Sequence, residues 1–122
     1  MGTQASRRGI ELDPADVQAS LAGEGASRPE VIDVREDDER AAGHIEGTRH
    51  IRLSDLLEAA QTVSRERAVI FYCKVGERSQ MAAEAFRAAG FDAYTMAGGL
   101  VRWAAEGRPL QRGADGDVAN RR

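Results

Sequence analysis

The feature that most limits how this chain can fold is the run Ala68-Val69-Ile70-Phe71-Tyr72, which is apolar throughout and ends directly at Cys73. A strand with one wet face alternates apolar and polar residues, whereas a strand covered on both faces reads as an unbroken apolar run. The run therefore predicts a buried strand of a parallel sheet. Val31-Ile32-Asp33-Val34, bounded by Pro29 and by charges, reads as a second buried strand, and Ala93-Tyr94-Thr95-Met96 as a final one. Ile10-Glu11-Leu12 alternates as a short strand would, and His50-Ile51-Arg52-Leu53 suggests a brief extended segment.

Helical signals fall between these runs. Asp13-Pro14 supplies an N-cap followed by proline at the first helical position, and a helix to about Ala22 places Val17 and Leu21 on one face. Glu36 to Ala42 reads as a short helix with an acidic start, stopped by Gly43, and Ser54 as the cap of a helix over Asp55 to about Gln61. Ser79 to Ala89 spaces Ala82, Ala85, Phe86 and Ala89 three and four apart before Gly90. Gly98-Gly99 breaks the chain ahead of a last helix over Leu100 to Ala105, ended by Gly107 and Pro109. Alternating strands and helices predict an α/β fold: a mostly parallel, doubly wound central sheet flanked by helices on both faces. In such sheets ligands gather at the carboxyl ends of the strands. The 122 residues suffice for one domain, read as 10–110, with 1–9 and 111–122 as flexible termini.

Charge narrows the function. With 17 basic residues scattered among 20 acidic ones and a net charge of -3, the chain lacks the clustered Lys and Arg that phosphate neutralisation needs, so no nucleic-acid partner is expected. No apolar run reaches the roughly 20 residues of a membrane-spanning helix, and Met1 to Arg8 lacks the apolar centre of a signal peptide. The expected address is the cytoplasm, with no membrane partner. One cysteine permits neither an internal disulfide nor a C-x-x-C pair, and His44 and His50 have no neighbours at metal-ligand spacing. No metal and no cofactor are expected.

The remaining chemistry centres on Cys73. Lys74-Val75-Gly76-Glu77-Arg78 separates it from the helix that begins near Ser79, which makes a strand, a tight loop and a helix N-terminus in succession. Successive N–H groups in such a loop can turn inward as an anion-binding nest, and the helix start adds free donors and partial positive charge. Those groups favour a thiolate over a thiol, and the thiolate is the nucleophile. A lone cysteine is more commonly a small buried core residue. A core position, however, has no need of a glycine-containing loop flanked by Lys74 and Arg78.

Taken in order, Val31-Ile32-Asp33-Val34-Arg35-Glu36, Gly43-His44-Ile45-Glu46-Gly47, the loop Cys73 to Ser79, and Gly98-Gly99 followed by Trp103 resemble the rhodanese-like sulfurtransferases over about residues 10 to 110. Thr48-Arg49 departs from the family, which more usually has a small residue after the glycine, and this is expected to affect packing alone. The resemblance implies a single rhodanese-like domain in which Cys73 forms a persulfide. A small anionic donor such as thiosulfate would load it, and a thiophilic acceptor, cyanide or a thiol, would unload it. The backbone amides from Lys74 through Val75, Gly76, Glu77 and Arg78 to Ser79 would hold the persulfide, with Lys74 and Arg78 attracting the donor.

Bland readings stand beside these roles. Arg78 could simply pair with Glu77 or Glu84, and Lys74 could be merely solvated. Asp33 and Arg35, at a strand exit, read as structural supports of the site. His44 reads as part of a turn, and Trp103 as core packing. A cysteine phosphatase or arsenate reductase needs five residues between Cys and Arg, and only four separate Cys73 from Arg78. A persulfide carrier or a non-catalytic docking module for an unknown protein partner remains the other reading. With one thiol per chain, a loaded sulfur must leave with an external molecule.

Overall fold

A computed structural model describes residues 9–113. The arms expected to be flexible lie mostly outside that range. Within it, Gln111 is tied by its backbone to His44, N–H to carbonyl in both directions at 2.7 and 2.9 Å, and the Gly113 N–H reaches the Ala41 carbonyl.

Five strands, β1 (Glu11–Leu12), β2 (Glu30–Asp33), β3 (Arg49–His50), β4 (Val69–Tyr72) and β5 (Ala93–Met96), form one parallel sheet in the order β1-β5-β4-β2-β3. The continuous apolar run is thus the central strand, and every residue of β4 is buried. Side-chain alternation divides its contacts. Val69, Phe71 and Cys73 join one apolar cluster, and Ile70 and Tyr72 join the other on the opposite face.

Helices cover both faces. α1 (Pro14–Leu21) and α5 (Gly99–Ala105) bring Val17, Leu100 and Trp103 to the Ile70 side. α3 (Leu56–Ala59), extended at both ends by 3₁₀ turns, and α4 (Glu77–Ala88) bring Leu56, Ala82, Ala83 and Phe86 to the Phe71 side. Phe86 packs edge-on against Phe71 at 5.0 Å and beside Phe91 at 4.6 Å, pairs worth about 0.5–1.5 kcal/mol each beyond area burial. The short α2 (Asp37–Ala42) stands beside the strand ends.

Several local expectations shift. The buried stripe of α4 is Ser79, Ala82, Ala83 and Phe86, while Ala85 and Ala89 face solvent. Ser54 lies inside a 3₁₀ turn and caps nothing, and the extended segment at His50 stops before Leu53. α4 starts at Glu77, two residues before the expected Ser79, because Gly76 takes the left-handed conformation (φ 109°) that closes the loop early.

Candidate active site

Parallel register sets the stage. Asp33 of β2 lies opposite Tyr72, and Thr95 of β5 opposite Phe71, so both flank the carboxyl end of β4 where Cys73 follows. This is the end at which ligands collect in open α/β sheets.

With α4 beginning at Glu77, the loop proper is only Lys74-Val75-Gly76. Glu77, Arg78 and Ser79 form the first helical turn, where backbone N–H groups have no partner inside the helix. Two donors converge on the sulfur: the Gly76 N–H, with N 3.1 Å from Cys73 Sγ, and the Ser79 N–H, with N at 3.4 Å. The Ser79 hydroxyl stands 3.5 Å from Sγ and 2.7 Å from the Thr95 hydroxyl, and it is buried. Thr95 thereby fixes the serine that lines the sulfur, a role no sequence signal announced. Cys73 itself has no exposed surface, whereas Lys74 and Val75 beside it are exposed.

The back of the loop rests on α5. Leu100 N–H donates to the Cys73 carbonyl at 2.9 Å and Val101 N–H to the Lys74 carbonyl at 3.0 Å. This close approach requires glycine at position 99, where a Cβ would stand 2.5 Å from the Lys74 carbonyl carbon and 2.7 Å from Val75 N.

Of the two cations expected at the loop, Arg78 is committed elsewhere. It grips Glu39 of α2 in two bonds, Nη1 to Oε1 at 2.9 Å and Nη2 to Oε2 at 3.1 Å, and neither Glu77 nor Glu84 is its partner. Glu39 Oε1 also accepts from Glu36 N–H at 2.9 Å, which secures the start of α2. The hydrogen bonds from Arg78 hold the Glu39 carboxyl down to about 2, and those bonds raise Arg78 in turn. Lys74 forms no ion pair among the described residues. With Arg35, Glu39, Gly43, Leu100 and Val101 it lines a largely apolar cavity of about 350 Å³ beside the loop.

Asp33 and Arg35 are buried and locked together, Nε to Oδ1 at 2.9 Å and Nη2 to Oδ2 at 2.8 Å, while Arg35 Nη2 also reaches the Gly43 carbonyl at 2.7 Å. Arg40 adds a second guanidinium, 3.4 Å from Asp33 Oδ2. Its Nη1 donates to the Thr48 hydroxyl at 2.9 Å, and that hydroxyl lies 3.2 Å from the Tyr72 phenol. Thr48 therefore does more than fill space: it joins a buried polar network. The Tyr72 oxygen accepts from Ile45 N–H at 3.1 Å, and burial pushes its ionisation up to about 12. His44 is buried, with Nδ1 3.0 Å from the Arg40 carbonyl, and Trp103 packs in the core.

Among the described residues, no group of three or more His, Cys, Asp or Glu side chains is placed to hold a metal ion, and no helix is long and apolar enough to cross a membrane.

Residues 13–106 match the family model of the rhodanese-like domain. YtwF of Bacillus subtilis (strain 168), named as a candidate sulfurtransferase, is 35% identical over 79 residues, spanning 65% of this chain and 77% of its own. The thiosulfate sulfurtransferase GlpE of Pseudomonas paraeruginosa is 33% identical over 75 residues, 61% of this chain and 68% of its own. Among solved structures, a rhodanese-related protein from Thermoplasma volcanium superposes with a TM-score of 0.75 at 28% identity, covering 83% of this chain and 96% of that one.

Proposed function

The chain belongs to the rhodanese-like domain family, and from that membership we propose that it is a sulfurtransferase in which Cys73 carries the transferred sulfur as a persulfide. The observation that carries the reading is the convergence of the Gly76 and Ser79 N–H groups on Cys73 Sγ at 3.1 and 3.4 Å. Donors aimed at a sulfur stabilise it as an anion, both as the attacking thiolate and as the persulfide.

With thiosulfate as donor, the Cys73 thiolate attacks the outer sulfur. A new S–S bond forms, the old bond to the sulfite sulfur breaks, and sulfite leaves with the electron pair. An external nucleophile, cyanide or a thiolate, then attacks the same sulfur and returns Cys73 as thiolate. No oxidant is needed, and no second cysteine of this chain takes part.

Lys74 is the cation available to an anionic donor, since Arg78 is held by Glu39. Because Cys73 is covered, the donor meets the exposed side chains of Lys74 and Val75 first, and these have to shift for it to reach the sulfur. A phosphatase mechanism is disfavoured by the same pairing, which withholds the Arg78 guanidinium from a tetrahedral oxyanion over the sulfur.

The test is intact mass after incubation with thiosulfate and removal of excess donor. The wild-type chain should gain one sulfur atom, Cys73→Ser should gain none, and Lys74→Ala should need a higher donor concentration for the same loading. A chain that gains nothing, or a serine variant that still does, would overturn the assignment.

A further inference from the structure

At the far end of the sheet, where β2 and β4 begin, lies a polar cavity of about 270 Å³ whose lining includes Arg28, Glu30, Gly47, Thr48, Arg49 and Arg67. Both strands run four residues, so at about 3.3 Å per residue it stands roughly 13 Å from the Cys73 loop. Nothing in the sulfur chemistry uses it.

Its charges do not balance. Three guanidinium groups face one carboxylate, a surplus of two positive charges in a chain whose net charge is -3. Glu30 has both oxygens engaged, Oε2 with Arg49 Nη1 at 2.8 Å and Oε1 with Arg67 Nη2 at 3.8 Å. Arg49 is further anchored to the Thr62 carbonyl and hydroxyl. The Thr48 hydroxyl is also committed, donating to the Ile45 carbonyl at 2.6 Å.

Arg28 stands apart. Its Nε is a buried donor with no hydrogen-bond partner among the described residues, and its guanidinium lies against Gly47, whose Cβ position would come within 3.2 Å of Nη2. A buried N–H without an acceptor costs free energy that a bound oxygen would relieve. Glu30 is paired with Arg49 and Arg67 and makes no bond to Arg28, which leaves that donor open to an oxygen from outside the cluster.

We propose that this cavity is a binding site for a phosphoryl dianion, gripped by Arg28 and Arg67 with Arg49 behind them. A guanidinium presents its donors in a planar fork that matches two oxygens of a tetrahedral oxyanion, and a phosphoryl group carries close to two negative charges at pH 7. The geometry fits a free phosphate and the terminal phosphate of an ester through the same contacts. The proposal is independent of the chemistry at Cys73.

The test is an NMR titration of the ¹⁵N-labelled full chain with inorganic phosphate and, separately, with adenosine monophosphate, chloride holding the ionic strength constant. The Arg28 Nε–H and Gly47 amide signals should shift saturably, with half-saturation at about 10 mM or below. Arg28→Gln and Arg67→Gln should each weaken binding by about fivefold or more while loading of Cys73 by thiosulfate is unchanged. Equal affinity for the two probes identifies the free anion as sufficient, and tighter binding of the nucleotide identifies an ester as the ligand. A response no different from that to chloride, no saturation with either probe, or undiminished affinity in both variants would overturn the site.

Discussion

Gly99 is the position where a single methyl group should damage both the fold and the sulfur site. It opens α5 at φ +62°, and an added Cβ would meet the Lys74 carbonyl and Val75 N, backbone atoms that cannot swing aside as a side-chain tip could. Alanine in the left-handed region costs about 1–2 kcal/mol. Relieving the clash means separating α5 from the loop. That strains the bonds from Leu100 N–H to the Cys73 carbonyl and from Val101 N–H to the Lys74 carbonyl, each worth about 0.5–1.5 kcal/mol net. The total for Gly99→Ala is about 2–5 kcal/mol, a large part of the 5–15 kcal/mol typical of a domain. Gly107→Ala isolates the conformational part, since Gly107 has φ +76° and nothing within 4 Å of its Cβ position. Urea denaturation should place Gly99→Ala at least about 1 kcal/mol below Gly107→Ala, with the excess reporting the backbone contact. Sulfur loading should slow in the first variant and not in the second. Equal destabilisation by the two substitutions would refute the close-approach argument.

The pairing of Glu39 with Arg78 should appear in acid. Glu39 is held at about 2 in the folded chain against an ordinary 4.5, so its contribution to stability is complete above about pH 4.5 and is lost as the pH falls toward 2. Urea denaturation of wild type and Glu39→Gln should show a gap at neutral pH that closes by pH 2, and a constant gap would mean that packing, not charge, is responsible. Tyr72→Phe removes the acceptor of the buried Ile45 N–H and should cost about 1–3 kcal/mol at neutral pH. Tyr72 ionises near 12 when folded and near 10.0 when unfolded, so wild type should lose stability between those values while the variant lacks that loss. A neutral-pH cost below about 0.5 kcal/mol would deny the phenol its structural role.

The parts of this protein that could be read from the residues are those set by neighbours in the chain. An unbroken apolar run fixes β4 as a doubly covered strand without knowledge of its partners, and Cys73 at its end is found by counting. α4 starts two residues before the apolar spacing suggests because the turn is made by Gly76, a glycine whose left-handed conformation spacing does not reveal, while the Ser79 hydroxyl turns to Thr95. What tunes the site comes from far along the chain. Glu39 was one acid in an acidic run, and Gly99 one of two helix-breaking glycines, until the parallel topology brought α2 and α5 against the loop. These contacts also redistribute charge. The local sequence offers two cations of equal standing, but Glu39 takes Arg78 into the scaffold and leaves Lys74 as the loop cation without an ion pair among the described residues. Preference for an anionic donor therefore has to be sought at Lys74, while substitution of Arg78 acts first on the seating of α2 against the loop.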